Sequence, residues 1–173
     1  MSLIDVRHIL LSCLYQNIEV LKRKKKITIG RKDKANFPEL GLADIDIKMD
    51  TGAYTSAIHC HTIEVRIIGG KNTLIFSPLD PTHNEYKKRE LSTTKFKEKH
   101  IKNSGGSSER RYIIETDILL FGKKYPIQLS LSKRGEMRFP VLIGRRFLIG
   151  KFVVDSARYN LSYRMKLKEL KAK

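Results

Sequence analysis

Asp50, Thr51, Gly52 and Ala53 follow directly on residues 43–49, where apolar and polar side chains alternate. Alternation of period two marks a half-buried strand. The pattern therefore puts a carboxylate at a strand end, with a glycine that lets the backbone turn tightly past it. A carboxylate held there can serve as a base. Asp, Thr and Gly also favour ordinary turns, because short polar side chains bond to nearby backbone. The tripeptide alone leaves both readings open.

His59 and His61 flank Cys60. On a strand, residues i and i+2 share a face, as two ligands of one metal must. A third ligand would have to come from farther off, His83 or Glu64, and there is no His-Glu-x-x-His helix. Neighbouring histidines are more often surface or structural groups, and no metal is expected. The run from Gly144 to Phe152 approximates a phosphate loop, but it has one residue too many between its glycines and no Ser or Thr after Lys151. Backbone amides at that spacing do not cradle a phosphate, and the magnesium hydroxyl is missing. No nucleotide or other cofactor is expected.

The elements that must position these residues read as short strands. Residues 63–68 and 73–76 form a hairpin turned at Gly69, Gly70, Lys71 and Asn72, and residues 112–120 and 125–131 a second one turned at 121–124. Residues 141–150 are a short apolar run around Gly144, followed by a brief strand over 152–155. Many short strands at close spacing favour an all-β barrel or sandwich. Apolar residues at 3, 6, 10, 14, 18 and 21 predict an amphipathic N-terminal helix. The apolar stretch within it, residues 9–15, is too short to cross a membrane and has no small-residue cleavage site. Residues 81–108 show neither period and read as a long basic insertion, with Ser104 to Ser108 as a flap tip or a flexible linker.

With 173 residues, 40% hydrophobic, 5 Pro and 11 Gly, the chain is neither collagen-like nor wholly disordered. Two cysteines, Cys13 and Cys60, are too few for a disulfide framework, so a reducing, cytoplasmic setting is expected. The net charge is +17. All but one unit of it falls in residues 22–34, 87–102 and 164–173, leaving the remainder nearly neutral. Such runs are ordinarily solvated, or they attract a polyanion. An RNA or ribosome binder without catalysis is thus a competing reading, but few aromatics, Phe37, Tyr86 and Phe96 among them, lie in or beside those runs as stacking platforms, and nucleic acid is not favoured.

Asp-Thr-Gly-Ala followed about 90 residues later by Val141-Leu-Ile-Gly-Arg-Arg-Phe-Leu resembles the retropepsins, the aspartic peptidases of the retroviral type. A closer resemblance covers nearly everything from residue 29 to residue 161. Ile-Gly-Arg-Lys, Pro-Glu-Leu-Gly-Leu, Lys-Met-Asp-Thr-Gly-Ala-x-Thr-Ser-Ala-Ile-His, Glu-Arg-Arg-Tyr-Ile-Ile-Glu-Thr and Met-Arg-Phe-Pro-Val-Leu-Ile-Gly-Arg together look like the bacterial retropepsin-like proteins often named ATP-dependent zinc proteases. Several of those are associated with ATP-grasp glutamate ligases that attach glutamates to a ribosomal protein. One departure is Tyr54, where that family is expected to carry arginine.

The resemblance implies an all-β, retropepsin-like closed barrel over residues 29–163. A short helix would follow Gly144, the helix and basic linker of residues 1–28 would precede the barrel, and residues 164–173 would form a basic tail. It implies aspartic peptidase chemistry, which needs two carboxylates sharing one proton, one ionised as base and one neutral as acid. The chain has a single Asp-Thr-Gly, and at Asp155 the needed glycine is Ala157, so Asp155 reads as a structural acid. A homodimer follows, with Asp50 of each subunit meeting across a two-fold axis and activating a water for attack on an amide. By resemblance, Thr51 would brace the two turns and Gly52 would offer its amide. Ala53, Arg110, Arg111, Arg138 and Arg145 are the substrate-binding candidates. The guanidinium groups suit an acidic or glutamate-rich tail, unless they pair internally with Glu109, Glu115 or Glu136. Any ATP requirement would belong to a partner ligase.

Overall fold

The computed structural model describes residues 25–102, 108–133 and 138–172. The expected helix over residues 3–21, the segment 104–107 and Glu136 lie outside them. Eleven strands occur among the described residues: β1 (Ile27–Gly30), β2 (Lys32–Phe37), β3 (Leu42–Asp50), β4 (Ser56–Ile68), β5 (Lys71–Pro78), β6 (Leu91–Thr93), β7 (Phe96–Lys102), β8 (Ser108–Leu120), β9 (Lys123–Ser132), β10 (Val141–Gly144) and β11 (Phe152–Asp155). A four-residue helix α1 (Arg145–Leu148) follows β10, and helix α2 (Leu161–Lys171) follows β11.

The main sheet runs β10-β3-β2-β8-β9-β4, and β10 pairs β4 as well, so these six strands close on themselves. The all-β barrel with a short helix after Gly144 is as expected. Alternation in β2 and β3 sends Phe37, Ile45 and Ile47 inward, where they meet Ile58, Leu129 and Ile143 with no residual exposure. β1 and β11 make a separate parallel pair. No described helix is long and apolar enough to cross a membrane.

Both expected hairpins form, each with a two-residue loop at positive φ: Gly69 and Gly70 at 56° and 73°, Phe121 and Gly122 at 51° and 67°. Left-handed φ matches the twist of the flanking strands but is strained for Phe121. Its amide donates to Ser162 Oγ at 2.7 Å, and its ring stacks on Phe152.

Two segments depart from the pattern reading. The basic insertion contains β6 and β7. β7 (Phe-Lys-Glu-Lys-His-Ile-Lys) has no clean alternation, but it is paired along its whole length with β8, so the backbone ladder overrides side-chain pattern. Residues 164–171, read as a tail, belong to α2. The helix starts at a left-handed Asn160 with no cap from its own side chain. Its first amides, Ser162 and Tyr163, donate instead to the buried carboxylate of Asp33 on β2 at 2.9 and 3.0 Å.

Candidate active site

β3 and β10 run parallel with Gly144 opposite Asp50, while β10 pairs antiparallel to the start of β4. β10 thus lies between the two strands that the turn 51–55 connects. At Gly144 φ is −81°, so the glycine is required by space and not by conformation. A Cβ there would lie 2.6 Å from the carbonyl carbon of Thr55 and 2.7 Å from the carbonyl oxygen of Tyr54. This close approach lets three successive amides support the turn. Gly144 N–H donates to Ser56 Oγ at 3.0 Å, Arg145 N–H to the Ala53 carbonyl at 2.8 Å, and Arg146 N–H to the Tyr54 carbonyl at 3.0 Å.

Asp50 is half-buried at the lip of this frame. Its Oδ1 accepts the amides of Gly52 and Ala53, both at 3.1 Å, and among the described residues Oδ2 accepts no hydrogen bond. Thr51, Gly52 and Tyr54 are exposed beside it. The carboxylate is fixed through one oxygen and leaves the other available to a water or a second carboxylate.

Of the arginine candidates, Arg145 reaches this turn with its side chain exposed. Arg110 and Arg111 do not. Ile114, Leu129 and Ser56 stand in register, so these arginines lie three and four residues farther along β8, roughly 10–14 Å beyond that level. Arg110 faces Glu98 at 3.7 Å, and buried Arg111 makes a two-point contact with Glu109 at 2.9 and 2.6 Å. Arg138 precedes the far end of β10 and sits over Phe139. Asp155 is structural, accepting the Ala157 amide and pairing Arg158 at 3.1 Å.

Three contributors escaped the sequence reading. Ser56 braces Gly144 through its hydroxyl, and Arg146 and Lys151 line a cavity of about 260 Å³ with Thr55, Ser56, Glu115 and Gln128. The hydrogen bond from Gln128, then the charges of Lys97 and Arg146, hold the Glu115 carboxyl below the usual range. The spacing Arg145-Arg146 was the available signal, but which of the two borders the cavity depends on the helix.

The histidines do not form the imagined pair. A bulge separates Cys60 from Thr62. His59 is buried with Nε2 2.7 Å from Asp80 Oδ2, whereas exposed His61 lies edge-on to Tyr86. His83 Nδ1 contacts the other Asp80 oxygen at 3.0 Å. Each donor is committed to the carboxylate, and among the described residues no three His, Cys, Asp or Glu are arranged to hold a metal ion. Burial pushes the Cys60 thiol up, which disfavours a thiolate ligand.

A family model described as RimB-like, retropepsin-like aspartic endopeptidase RimB, matches residues 28–165. The chain belongs to the RimB-like family. Curated relatives are a probable alpha-L-glutamate ligase of Desulfotalea psychrophila, 34% identical over 77% of this chain, and one of Parasynechococcus marenigrum, 30% identical over 76%. The RimB-like chain spans only 28% of the length of each. The fold is shared with the crystal structure of a protein of unknown function from Legionella pneumophila, with TM-score 0.58 and 22% identity over 80% of this chain and 99% of that one.

Proposed function

We propose that the protein is an aspartic endopeptidase whose active centre forms when two subunits bring their Asp50 turns together. One observation carries this reading: a half-buried carboxylate held by the Gly52 and Ala53 amides on a turn supported by Gly144, Arg145 and Arg146. Two such carboxylates in contact cannot both ionise, so one acts as base toward water and the other as acid toward the scissile carbonyl. Thr51, exposed beside Asp50, braces the partner turn, and the Gly52 amide holds the carboxylate that remains charged.

The substrate is an acidic, glutamate-rich peptide tail. Arg145 and Arg146 are exposed beside the turn, and Lys151 lines the adjoining cavity, so the approach to Asp50 is cationic. Hydrolysis of such tails fits a functional link to a glutamate ligase, the name its curated relatives carry. The setting is cytoplasmic, consistent with Cys60 as a free, buried thiol. Cleavage of a glutamate-rich peptide is expected to fall about 10²–10⁴-fold in Asp50→Asn, with the dimer retained in sedimentation. It is also expected to slow as salt screens the cations. Equal activity of Asp50→Asn and wild type would refute the mechanism.

A further inference from the structure

We propose that the surface formed by the β1–β2 junction, the loop 156–160 and helix α2 binds single-stranded nucleic acid. Two of the three runs of positive charge, more than a hundred residues apart in sequence, converge here. Arg31 N–H donates to the Arg158 carbonyl at 2.9 Å and Asn160 N–H to the Lys32 carbonyl at 2.8 Å, while Asp33 fixes the start of α2. The convergence rings one aromatic side chain. The Arg164 guanidinium lies 4.8 Å from the Tyr159 ring centre, the Lys32 ammonium 5.5 Å and the Arg31 guanidinium 5.8 Å. Lys34 and Lys166 stand over Tyr163 in the same way, at 6.0 and 5.9 Å. Arg164, Lys168 and Lys171, spaced i, i+4 and i+7, continue the charge as a stripe along the exposed side of the helix.

Three of the nearby acids are already engaged, Asp155 by Arg158, Asp46 by Lys34 and Asp44 by Lys166, which leaves Glu169 as one exposed acid on α2 among the cations. Among the described residues, Arg31, Lys32, Arg164, Lys168 and Lys171 have no carboxylate within 4.0 Å. Like charges gathered without counter-ions repel, and an anionic ligand relieves that repulsion. The aromatic decides which anion. An acidic peptide needs cations only, whereas a nucleotide strand offers phosphates to the cations and a base face to a ring. Tyr159 is 40% exposed and borders a cavity of about 370 Å³ with Ala157, Arg158, Leu161 and Arg164. A duplex hides its base faces in the stack, so the fit is to a single strand read without sequence preference. Only the fold sets Tyr159 and Tyr163 between cations from both ends of the chain.

The test is fluorescence anisotropy of the full chain with a short labelled oligouridylate across a salt series. With four or five phosphates neutralised, the log–log salt slope is expected to be about −3. Reversing Arg164, Lys168 and Lys171 to Glu should weaken binding at least about tenfold and flatten the slope by about 2. Tyr159→Leu should weaken binding about tenfold at an unchanged slope. The same three-fold reversal at exposed Lys71, Lys87 and Lys88 leaves equal net charge and should change affinity far less. Thermal melts establish that each variant is folded, and if the triple reversal unfolds, the single Lys168→Glu carries the comparison. The proposal is overturned if oligouridylate fails to bind at low salt, if the control reversals weaken it equally, or if Tyr159→Leu binds like wild type. It is equally overturned if a duplex binds as tightly as the single strand, or if a glutamate homopeptide of matched charge displaces the labelled oligouridylate as well as unlabelled oligouridylate does.

Discussion

Asp50 closes β3 and Asp80 lies just past the end of β5, and the two carboxylates are held in opposite ways. Both accept a backbone amide two residues on, Gly52 for Asp50 and Thr82 for Asp80. There the likeness ends. Around Asp80 the Thr82 hydroxyl, His83 and His59 complete the set of donors, and the group is buried. Burial pushes the Asp80 carboxyl up, but the hydrogen bonds from Thr82, His83 and His59 outweigh it and hold the group well below the usual carboxylate range. Asp50 takes amides on one oxygen only and sits at the rim. A carboxylate with both oxygens engaged is a structural tie. One with an oxygen to spare can do chemistry.

The comparison breaks if exchanging the two amidations does not exchange their effects. Asp50→Asn should remove cleavage while leaving thermal stability within about 0.5 kcal/mol, since a half-exposed amide can still accept the same two amides. Asp80→Asn should do the reverse, costing about 3 kcal/mol, because it strips a buried charge from two histidines and a hydroxyl. Peptide cleavage by the folded fraction should persist. The paired readout is the melting temperature beside the cleavage rate of each variant.

The difference also accounts for what could be read before the fold was known. Gly144 was marked by the family motif and owes its place to Thr55 and Tyr54, about 90 residues away, whereas Asp50 was legible as a turn carboxylate because its immediate neighbours, the Gly52 and Ala53 amides, fix it. The Gly69-Gly70 turn was legible for the same reason, as both residues adopt positive φ. The Asp80 cluster was not. His59 and His61 were paired by strand alternation, but the bulge after Cys60 and the return of the chain at Leu79 gave His59 to Asp80. For Arg111 the sequence left a substrate contact and an internal pair both open, and the fold makes the pair, with Glu109 two residues away on the same face of β8. Helix α2 was invisible as a helix because its cap comes from Asp33, far away on β2. Local chemistry survives in sequence, and contacts set by register do not.

Gly144→Ala tests the frame under Asp50 without touching any carboxylate. The added Cβ meets backbone atoms of Thr55 and Tyr54, which cannot step aside as a flexible side chain would. A cost of about 1–3 kcal/mol is expected, together with a fall in cleavage greater than the loss of stability explains, because the turn must shift. The Asp80 cluster lies outside this frame, so its response to acid should be unchanged. If Gly144→Ala is as stable and as active as wild type, the turn does not depend on the close approach.

The smallest effects are those of pH, and here a third aspartate sharpens the contrast. The folded state holds the Asp80 carboxyl below its ordinary range, so its contribution is complete above about pH 4 and is lost as pH falls through and below that value. For Asp33, burial pushes the carboxyl up more strongly than the amides of Ser162, Lys34 and Tyr163 bring it down. The folded state therefore favours the protonated form, and stability drawn from Asp33 is greatest below about pH 4 and declines as pH rises through its raised value. The stability gap between wild type and Asp80→Asn should accordingly widen as pH rises from the acid side, and the gap between wild type and Asp33→Asn should narrow. Urea unfolding of the three proteins across that range reads both slopes. Slopes of the same sign would mean that the cluster around Asp80 does not hold its charge, leaving Asp80 a buried acid of the same kind as Asp33.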